Sequence, residues 1–306
     1  MKVGLTLPHY DFSLPGEDRA TFAATAAWAV RAEELGFDSA WMSDHFVYSL
    51  GRYGGPDAAG GALEPLTTIA GLAVRTARIR LGTLVLGAPF RDAVMTAHLA
   101  KGLAAISGGR FDLGIGAGWY AEDFEPFGYA FGSVGERFRL LEELRAAIDP
   151  TVGPAGVPVW IGAKGGDRAL RLVARRGDGW NTAWRWTPER YGERVARLRT
   201  FVEEVGGRPP RLSLGLYAIV GEDEADLARR WAAISAWLPG AAGDLAAWRE
   251  DALVGTIDEA VERLRAFAAL GVEEVIVAPA TVPFAVPDPS NVDLIARELL
   301  PRVAGL

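Results

Sequence analysis

Two histidines stand where predicted strands end, and they are the first candidates for chemistry in this sequence. His9 follows the apolar run at residues 3–7, and His45 follows the run at residues 39–42 with Asp44 beside it. A carboxylate next to an imidazole can orient the ring while the ring exchanges a proton or hydrogen bond at a reaction centre. We therefore interpret Asp44 and His45 as the candidate catalytic pair and His9 as a candidate substrate contact.

The spacing of the histidines argues against a metal centre. The third one, His98, lies inside a helical pattern at residues 92–106. The three are too scattered for the His-x-His or His-Glu-x-x-His patterns that are usual in zinc and iron sites. We expect no metal.

A glycine-rich segment after the fifth strand-like run has the residues to bind an anion. It consists of Gly162, Ala163, Lys164, Gly165 and Gly166 and precedes a helical pattern that begins at residue 167. The N–H groups of such a turn, with a helix N-terminus behind them, favour a phosphate, and a lysine beside them is an ordinary phosphate contact. A helix cap without a ligand is the alternative interpretation.

Glycines and tryptophans at other predicted strand ends suit a flat ligand. Gly114, Gly116 and Gly118 resemble part of a dinucleotide fingerprint, but Trp119 occupies the position of its last glycine. The glycines let the backbone approach either a planar ligand, which would make Gly116 a ligand contact, or a neighbouring strand. Trp119 and Trp184 fall in predicted loops where they could wall an aromatic substrate.

The elements that must position these residues alternate between strand and helix. Short apolar runs lie at residues 3–7, 39–42, 79–86, 111–115, 157–161, 179–183, 212–220 and 274–278, with amphipathic stretches between them. Eight such units in 306 residues predict an α/β fold of the (β/α)8 TIM-barrel type, with residues 1–306 as a single domain, rather than a doubly wound sheet. Chemistry in such barrels lies at the C-terminal ends of the strands, where the candidate residues fall.

The composition of the chain limits the binding partners and the cellular compartment that we expect for the protein. The chain has 32 Lys and Arg against 39 Asp and Glu, a net charge of -7, and no basic cluster, so we expect neither nucleic-acid nor membrane binding. The absence of cysteine excludes disulfides and thiolate chemistry. Apolar runs are far shorter than the roughly 18 to 20 residues of a membrane span, and the first residues form a strand-like pattern, so we expect a cytoplasmic protein.

Six segments of the chain share the pattern of one enzyme family. They are residues 33–41 followed by Asp44 and His45, then 78–83, 107–111, 114–119, 136–138 and 177–181. Together they resemble the bacterial luciferase-like flavin and deazaflavin oxidoreductases. The similarity is greatest to the group that uses the 8-hydroxy-5-deazaflavin coenzyme F420.

The resemblance implies a barrel with the coenzyme's tricycle across its C-terminal mouth. It implies a cis peptide bond between Leu84 and Val85 that supports the face of the ring, and it places Asp44 and His45 near the reactive carbon. It also implies that residues 162–166 hold the phosphate of the coenzyme's side chain. The activity it implies is hydride transfer between F420 and a small organic substrate.

The chain departs from the family pattern at two places. Trp119 stands where some members have a proton-donating glutamate. Only residues 149–156 bridge helix 4 and strand 5, where the family usually inserts a longer segment. A shortened segment would uncover Trp119 and Trp184, and exposed apolar surface commonly becomes an interface, so we expect a homodimer.

Three alternatives stay open at this point. An FMN-dependent monooxygenase has the same fold and would add oxygen chemistry. A non-catalytic flavin-binding protein would fit the missing glutamate and the shortened segment. A cofactor-free barrel lyase or isomerase would use Lys164 as its amine.

Overall fold

Parallel strands pair side by side and close into a ring in this protein. The computed structural model describes residues 1–177, 179–240 and 243–306. The strands of these residues are β1 (Lys2–Thr6), β2 (Ser39–Met42), β3 (Val47–Ser49), β4 (Ala59–Gly61), β5 (Arg80–Thr83), β6 (Leu86–Gly87), β7 (Phe111–Gly116), β8 (Val159–Gly162), β9 (Gly179–Trp184), β10 (Arg211–Gly221), β11 (Leu253–Thr256) and β12 (Val272–Ala278). The ring runs β1, β2, β5, β7, β8, β9, β10, β12, and β12 pairs back with β1. The predicted (β/α)8 barrel is confirmed.

Helices cover the outside of the ring. They are α1 (Phe22–Glu34), α2 (Pro65–Arg75), α3 (Ala93–Ser107), α4 (Val134–Val152), α5 (Asp167–Arg176), α6 (Pro188–Val205), α7 (Glu224–Trp237), α8 (Leu245–Asp251), α9 (Ile257–Ala269), α10 (Pro289–Leu294) and α11 (Leu300–Val303). A capping box starts α4, in which the side chains of Ser133 and Glu136 each accept the other's backbone N–H. In the described parts of the chain, no helix is long and apolar enough to cross a membrane.

Two indole rings fill the lumen of the barrel, and glycines make room for them. A Cβ atom on Gly82 would stand 2.4 Å from the Trp41 ring, and one on Gly179 would stand 2.3 Å from the Trp160 ring. Each tryptophan is 1% exposed. Small residues on one strand opposite large ones on the next therefore give a packed interior, and any ligand must bind at the mouth.

The third predicted strand, residues 79–86, is interrupted in the structure. β5 and β6 are separated by Leu84 and Val85, and the peptide bond that joins these two residues is cis, as the resemblance predicts. A second cis bond joins Ala183 and Trp184. The sequence patterns predicted neither the antiparallel β3–β4 hairpin over the mouth nor β11, which pairs with the end of β10.

The link between helix 4 and strand 5 is shorter than the predicted residues 149–156. α4 continues to Val152 with Pro150 inside it, and one 3-10 turn, Gly153–Ala155, leads towards β8. Asp178, which belongs to one of the six family-like segments, lies outside the described residues.

Candidate active site

A cavity of about 610 Å³ lies at the carboxyl ends of the barrel strands. Most of the predicted site residues line it, namely Asp44, His45, Leu84, Val85, Gly116, Trp119, Gly162, Ala163, Lys164 and Trp184. In the described chain, three predicted residues are not among its lining residues: His9, Gly165 and Gly166.

His45 is held by a carboxylate, but not by the one expected. Its Nδ1 is hydrogen-bonded to Asp123, which also accepts the backbone N–H of Phe46 at 2.9 Å and of Val47 at 3.2 Å. The Asp123 side chain is 2% exposed and the His45 side chain 14%. With Nδ1 engaged, Nε2 has no protein partner among the described residues and can serve a ligand in the cavity.

Aromatic rings fix the plane of the His45 imidazole. The rings of Tyr48, Trp119 and Tyr120 meet it edge-on, with centroid distances of 4.9, 5.8 and 5.4 Å. Such packing restricts the rotation of the imidazole and removes water from around it. The site therefore presents one ring nitrogen in a fixed direction.

Asp44 does not orient the neighbouring His45, so that interpretation was wrong. Its carboxylate forms a two-point ion pair with Arg91 and accepts the N–H of Gly87 at 2.9 Å. Arg91 in turn bonds Glu64 at 3.0 Å. Burial raises the pKa of Asp44, and Arg91 opposes that rise. Both residues follow β2, which ends at Met42, and the Asp44 carboxylate and the His45 imidazole bond different partners.

His9 is not a surface contact of the cavity, because the fold buries it completely. It is 0% exposed, with Nδ1 bonded to the Leu7 carbonyl at 2.9 Å and Nε2 to the Ser43 hydroxyl at 3.0 Å. Burial lowers the pKa of His9 to about 4, so it is neutral at pH 7. His9 packs against Tyr10 with ring centroids 4.4 Å apart, and the Tyr10 hydroxyl bonds the same Ser43 oxygen.

The glycines of the cavity floor make room for a side chain. A Cβ atom on Gly116 would stand 2.6 Å from a methyl group of Val85, and one on Gly162 would stand 2.7 Å from the other methyl group. A Cβ on Gly114 would stand 2.0 Å from the Thr83 carbonyl oxygen. The close approach to a neighbouring strand, one of the two uses predicted for these glycines, is therefore present.

A planar ligand with polar edges fits the residues of this cavity. The Val85 side chain rises from the glycine floor and offers an apolar support, and most of the lining is apolar or aromatic. The Nε2 of His45, which is unpaired in the described chain, gives such a ligand one polar contact.

The predicted anion-binding segment, residues 162–166, lies partly in the cavity and partly behind it. Gly162, Ala163 and Lys164 line the cavity, whereas Gly166 is the N-cap of α5 and Gly165 has φ of 82°. The Lys164 ammonium donates to the Ala183 carbonyl, and burial lowers the pKa of Lys164. In the residues that the structure describes, no group of three or more acidic or histidine side chains could hold a metal ion.

Residues that the sequence interpretation missed supply most of the polar contacts. Asp123 and Arg91 bond the two predicted residues, and Arg52 lies with its guanidinium 4.4 Å from the centroid of Trp119. One sequence feature could have indicated Asp123. It forms an acidic pair with Glu122 within an aromatic segment after the fourth barrel strand.

Comparison with known proteins identifies the family. The profile of the luciferase-like monooxygenase family matches residues 1–274, so the chain belongs to that family. An F420-dependent glucose-6-phosphate dehydrogenase of Amycolatopsis mediterranei is 32% identical over 175 residues, which are 50% of this chain and 50% of that protein. The 4-hydroxyprotoasukamycin monooxygenase of Streptomyces nodosus subsp. asukaensis is 30% identical over 223 residues, 71% of this chain and 54% of that protein. The matches span about half the length of these relatives.

Solved structures share the fold over nearly the whole chain. An F420-dependent secondary alcohol dehydrogenase with an F420-acetone adduct has a TM-score of 0.77 at 16% identity, covering 99% of this chain and 98% of that one. The coenzyme F420-dependent tetrahydromethanopterin reductase of Methanopyrus kandleri has a TM-score of 0.71 at 17% identity, covering 98% of each chain.

Proposed function

We propose that the chain is an oxidoreductase that uses coenzyme F420 and transfers hydride to or from a small organic substrate. The observation that carries this is the imidazole of His45, which among the described residues is bonded at Nδ1 and unpaired at Nε2 in the largely apolar cavity at the barrel mouth. Similarity to a protein named as an F420-dependent dehydrogenase supports the choice of coenzyme.

Residues of the cavity would hold the coenzyme at its ring system and at the phosphate of its side chain. Val85 would support one face of the tricycle, and the amides of residues 162–166 would hold the side-chain phosphate. When bound, F420 supplies a carbon in its central ring that donates or accepts hydride.

His45 would act as the acid or base for the proton that accompanies hydride transfer. Its Nε2 would donate a hydrogen bond to the substrate oxygen that gains electron density, or accept the proton from a substrate hydroxyl in the reverse direction. Asp123 would keep the Nδ1–H tautomer and stabilise the imidazolium. Asp44 would act at a distance, by fixing Arg91 and the Gly87 backbone beside the cavity.

Titration with each coenzyme tests the proposal. Protein without ligand is titrated with F420 and separately with FMN, and binding is followed by quenching of fluorescence. We expect a lower dissociation constant for F420. Equal or tighter binding of FMN would overturn the choice of coenzyme.

An FMN-dependent monooxygenase is the second candidate. The relative with the longer match, over 71% of this chain, is named as a monooxygenase. Oxygen consumption in the presence of reduced FMN and candidate substrates would distinguish it, because a deazaflavin does not readily perform oxygen chemistry.

A further inference from the structure

A second cavity opens beside the first at the mouth of the barrel. Its volume is about 580 Å³, and it shares Arg52, Tyr53, Lys164 and Trp184 with the first cavity. These four side chains border both spaces, so the two cavities are neighbours at the barrel mouth. A ligand of the second cavity would bind beside whatever occupies the first.

Aromatic rings form one wall of the second cavity, and the Arg185 guanidinium lies over one of them, Trp248, at 4.5 Å from its centroid. Trp184 stacks on Tyr217 with a centroid distance of 5.4 Å and an interplanar angle of 27°, and Tyr217 meets Trp248 at 5.1 Å. Tyr217 and Trp248 are 4% and 6% exposed, so the wall is fixed by the core behind it. A rigid aromatic wall of this kind favours a planar apolar body.

The charged groups of the second cavity are all cations in the described chain. Arg52, Lys164 and Arg185 line it, and no Asp or Glu does. Arg185 is neutralised by Asp251 at 2.5 Å. Arg52 and Lys164 have no carboxylate within 4 Å among the described residues: Arg52 lies over the ring of Trp119, and Lys164 donates to a backbone carbonyl.

We propose that the second cavity binds the substrate and that the substrate is a planar aromatic acid. Its anionic group would lie between Arg52 and Lys164, and its ring would lie against Trp184, which Tyr217 supports from the core. The assignment as substrate site rests on the proposed function, since it takes the first cavity as the place of the coenzyme. Binding of the acid itself depends only on the second cavity.

A pair of isosteric probes tests the acid preference without the coenzyme. The ligand-free protein is titrated with 2-naphthoate and with neutral 2-naphthamide, and tryptophan fluorescence reports binding. We expect naphthoate to bind about tenfold more tightly, as is typical for a hydrogen bond to a charged group. Arg52→Gln should remove most of this preference. Arg208→Gln, at an exposed arginine in the turn before β10 and so at the opposite end of the barrel, should keep it.

A second arm separates a substrate acid from an anionic group of the coenzyme. The dissociation constant of F420 is measured for the wild type and for Arg52→Gln, and we expect the two values to agree within about twofold. Loss of F420 affinity in parallel with naphthoate affinity would assign Arg52 to the coenzyme and overturn the proposal. Equal binding of acid and amide to the wild type, or a preference that survives Arg52→Gln, would also overturn it. Naphthoate preference in a protein that binds no F420 would support the acid site and refute the proposed function.

Discussion

Asp123 is the residue whose effect on His45 can be tested most directly. An amide at this position can still accept the N–H groups of Phe46 and Val47 through its oxygen, but its NH2 group would face Nδ1 of His45 and favour the wrong tautomer. We expect Asp123→Asn to lower kcat by about 10²-fold, the contribution of a positioned acid-base group, with little change in the dissociation constant of the coenzyme.

The same variant should change the pH profile of kcat, which a merely structural role would not do. His45→Ala should lower kcat by a similar factor, and the double variant should lose little more, because the two residues act as one unit. Glu122→Gln is the matched control, since Glu122 is the exposed neighbour of Asp123. An unchanged kcat in Asp123→Asn would show that the carboxylate only fixes the loop.

The sequence predicted His45 but could not predict its partner. A strand end is recognisable from the apolar run before it, and the barrel rule places that end at the mouth. Asp123, by contrast, lies 78 residues away in the chain and reaches His45 through an irregular loop after β7. Adjacency in sequence suggested Asp44 instead, but the Asp44 carboxylate bonds Arg91 and the Gly87 N–H, which are also distant in the chain.

At the scale of the elements, the strands also bury a carboxyl group near the N-terminal end of the barrel. Glu274 on β12 is 4% exposed and accepts the hydroxyl of Ser39 on β2, which in turn accepts the Trp41 indole N–H at 2.8 Å. Burial raises the pKa of Glu274 to about 7, and the nearby Asp112 adds to the rise, whereas Arg211 and Lys2 oppose it.

This raised pKa predicts a pH-dependent stability with a definite sign. The folded chain binds the Glu274 proton more tightly than the unfolded chain does, so the stabilisation is complete below pH about 4.5 and is lost as the pH rises through about 7. In Glu274→Gln this component is absent. We expect the free energy of unfolding of the variant, relative to the wild type, to rise by on the order of 3 kcal/mol between pH 4.5 and pH 8.

Urea unfolding at several pH values measures this difference. Glu273→Gln, at the exposed neighbour that pairs with Arg211 at 2.9 Å, should show little of it. His9 titrates with the opposite sign, because its folded pKa is lowered, but it is present in all three proteins and cancels in the comparison. A constant difference between Glu274→Gln and the wild type would refute the prediction.

At the scale of the whole molecule, the barrel was predictable because its strands are apolar, short and regularly spaced. Two elements outside the ring were not predictable. β11 comprises only Leu253–Thr256 and pairs with the C-terminal end of β10. Four residues are too few to show a strand pattern in the sequence. The hairpin of β3 and β4 contains Gly60 and Gly61 in place of alternating apolar residues, and it depends on contacts over the mouth.

The homodimer expected from the sequence stays a prediction, and the structure offers a second face for it. Trp119 is 53% exposed at the mouth, but α3 also carries an outward apolar stripe. Met95, Leu99 and Ile106 are 56%, 43% and 51% exposed, and Gly102 between them would leave open space around a Cβ atom. The spacing of four, three and four residues puts all of them on one face of the helix.

We predict that two copies pair through this stripe, because a continuous apolar helix face with a glycine at its centre allows close packing about a two-fold axis. Light scattering coupled to size exclusion should give twice the chain mass of 32.7 kDa across a dilution series. Leu99→Glu would place two charges in the interface and should give the monomer mass. Val205→Glu, at an exposed apolar position on α6, is the control and should stay dimeric. A wild-type protein with the monomer mass at every concentration would refute the dimer. If Leu99→Glu stays dimeric and Trp119→Gln gives the monomer mass instead, the interface lies at the mouth.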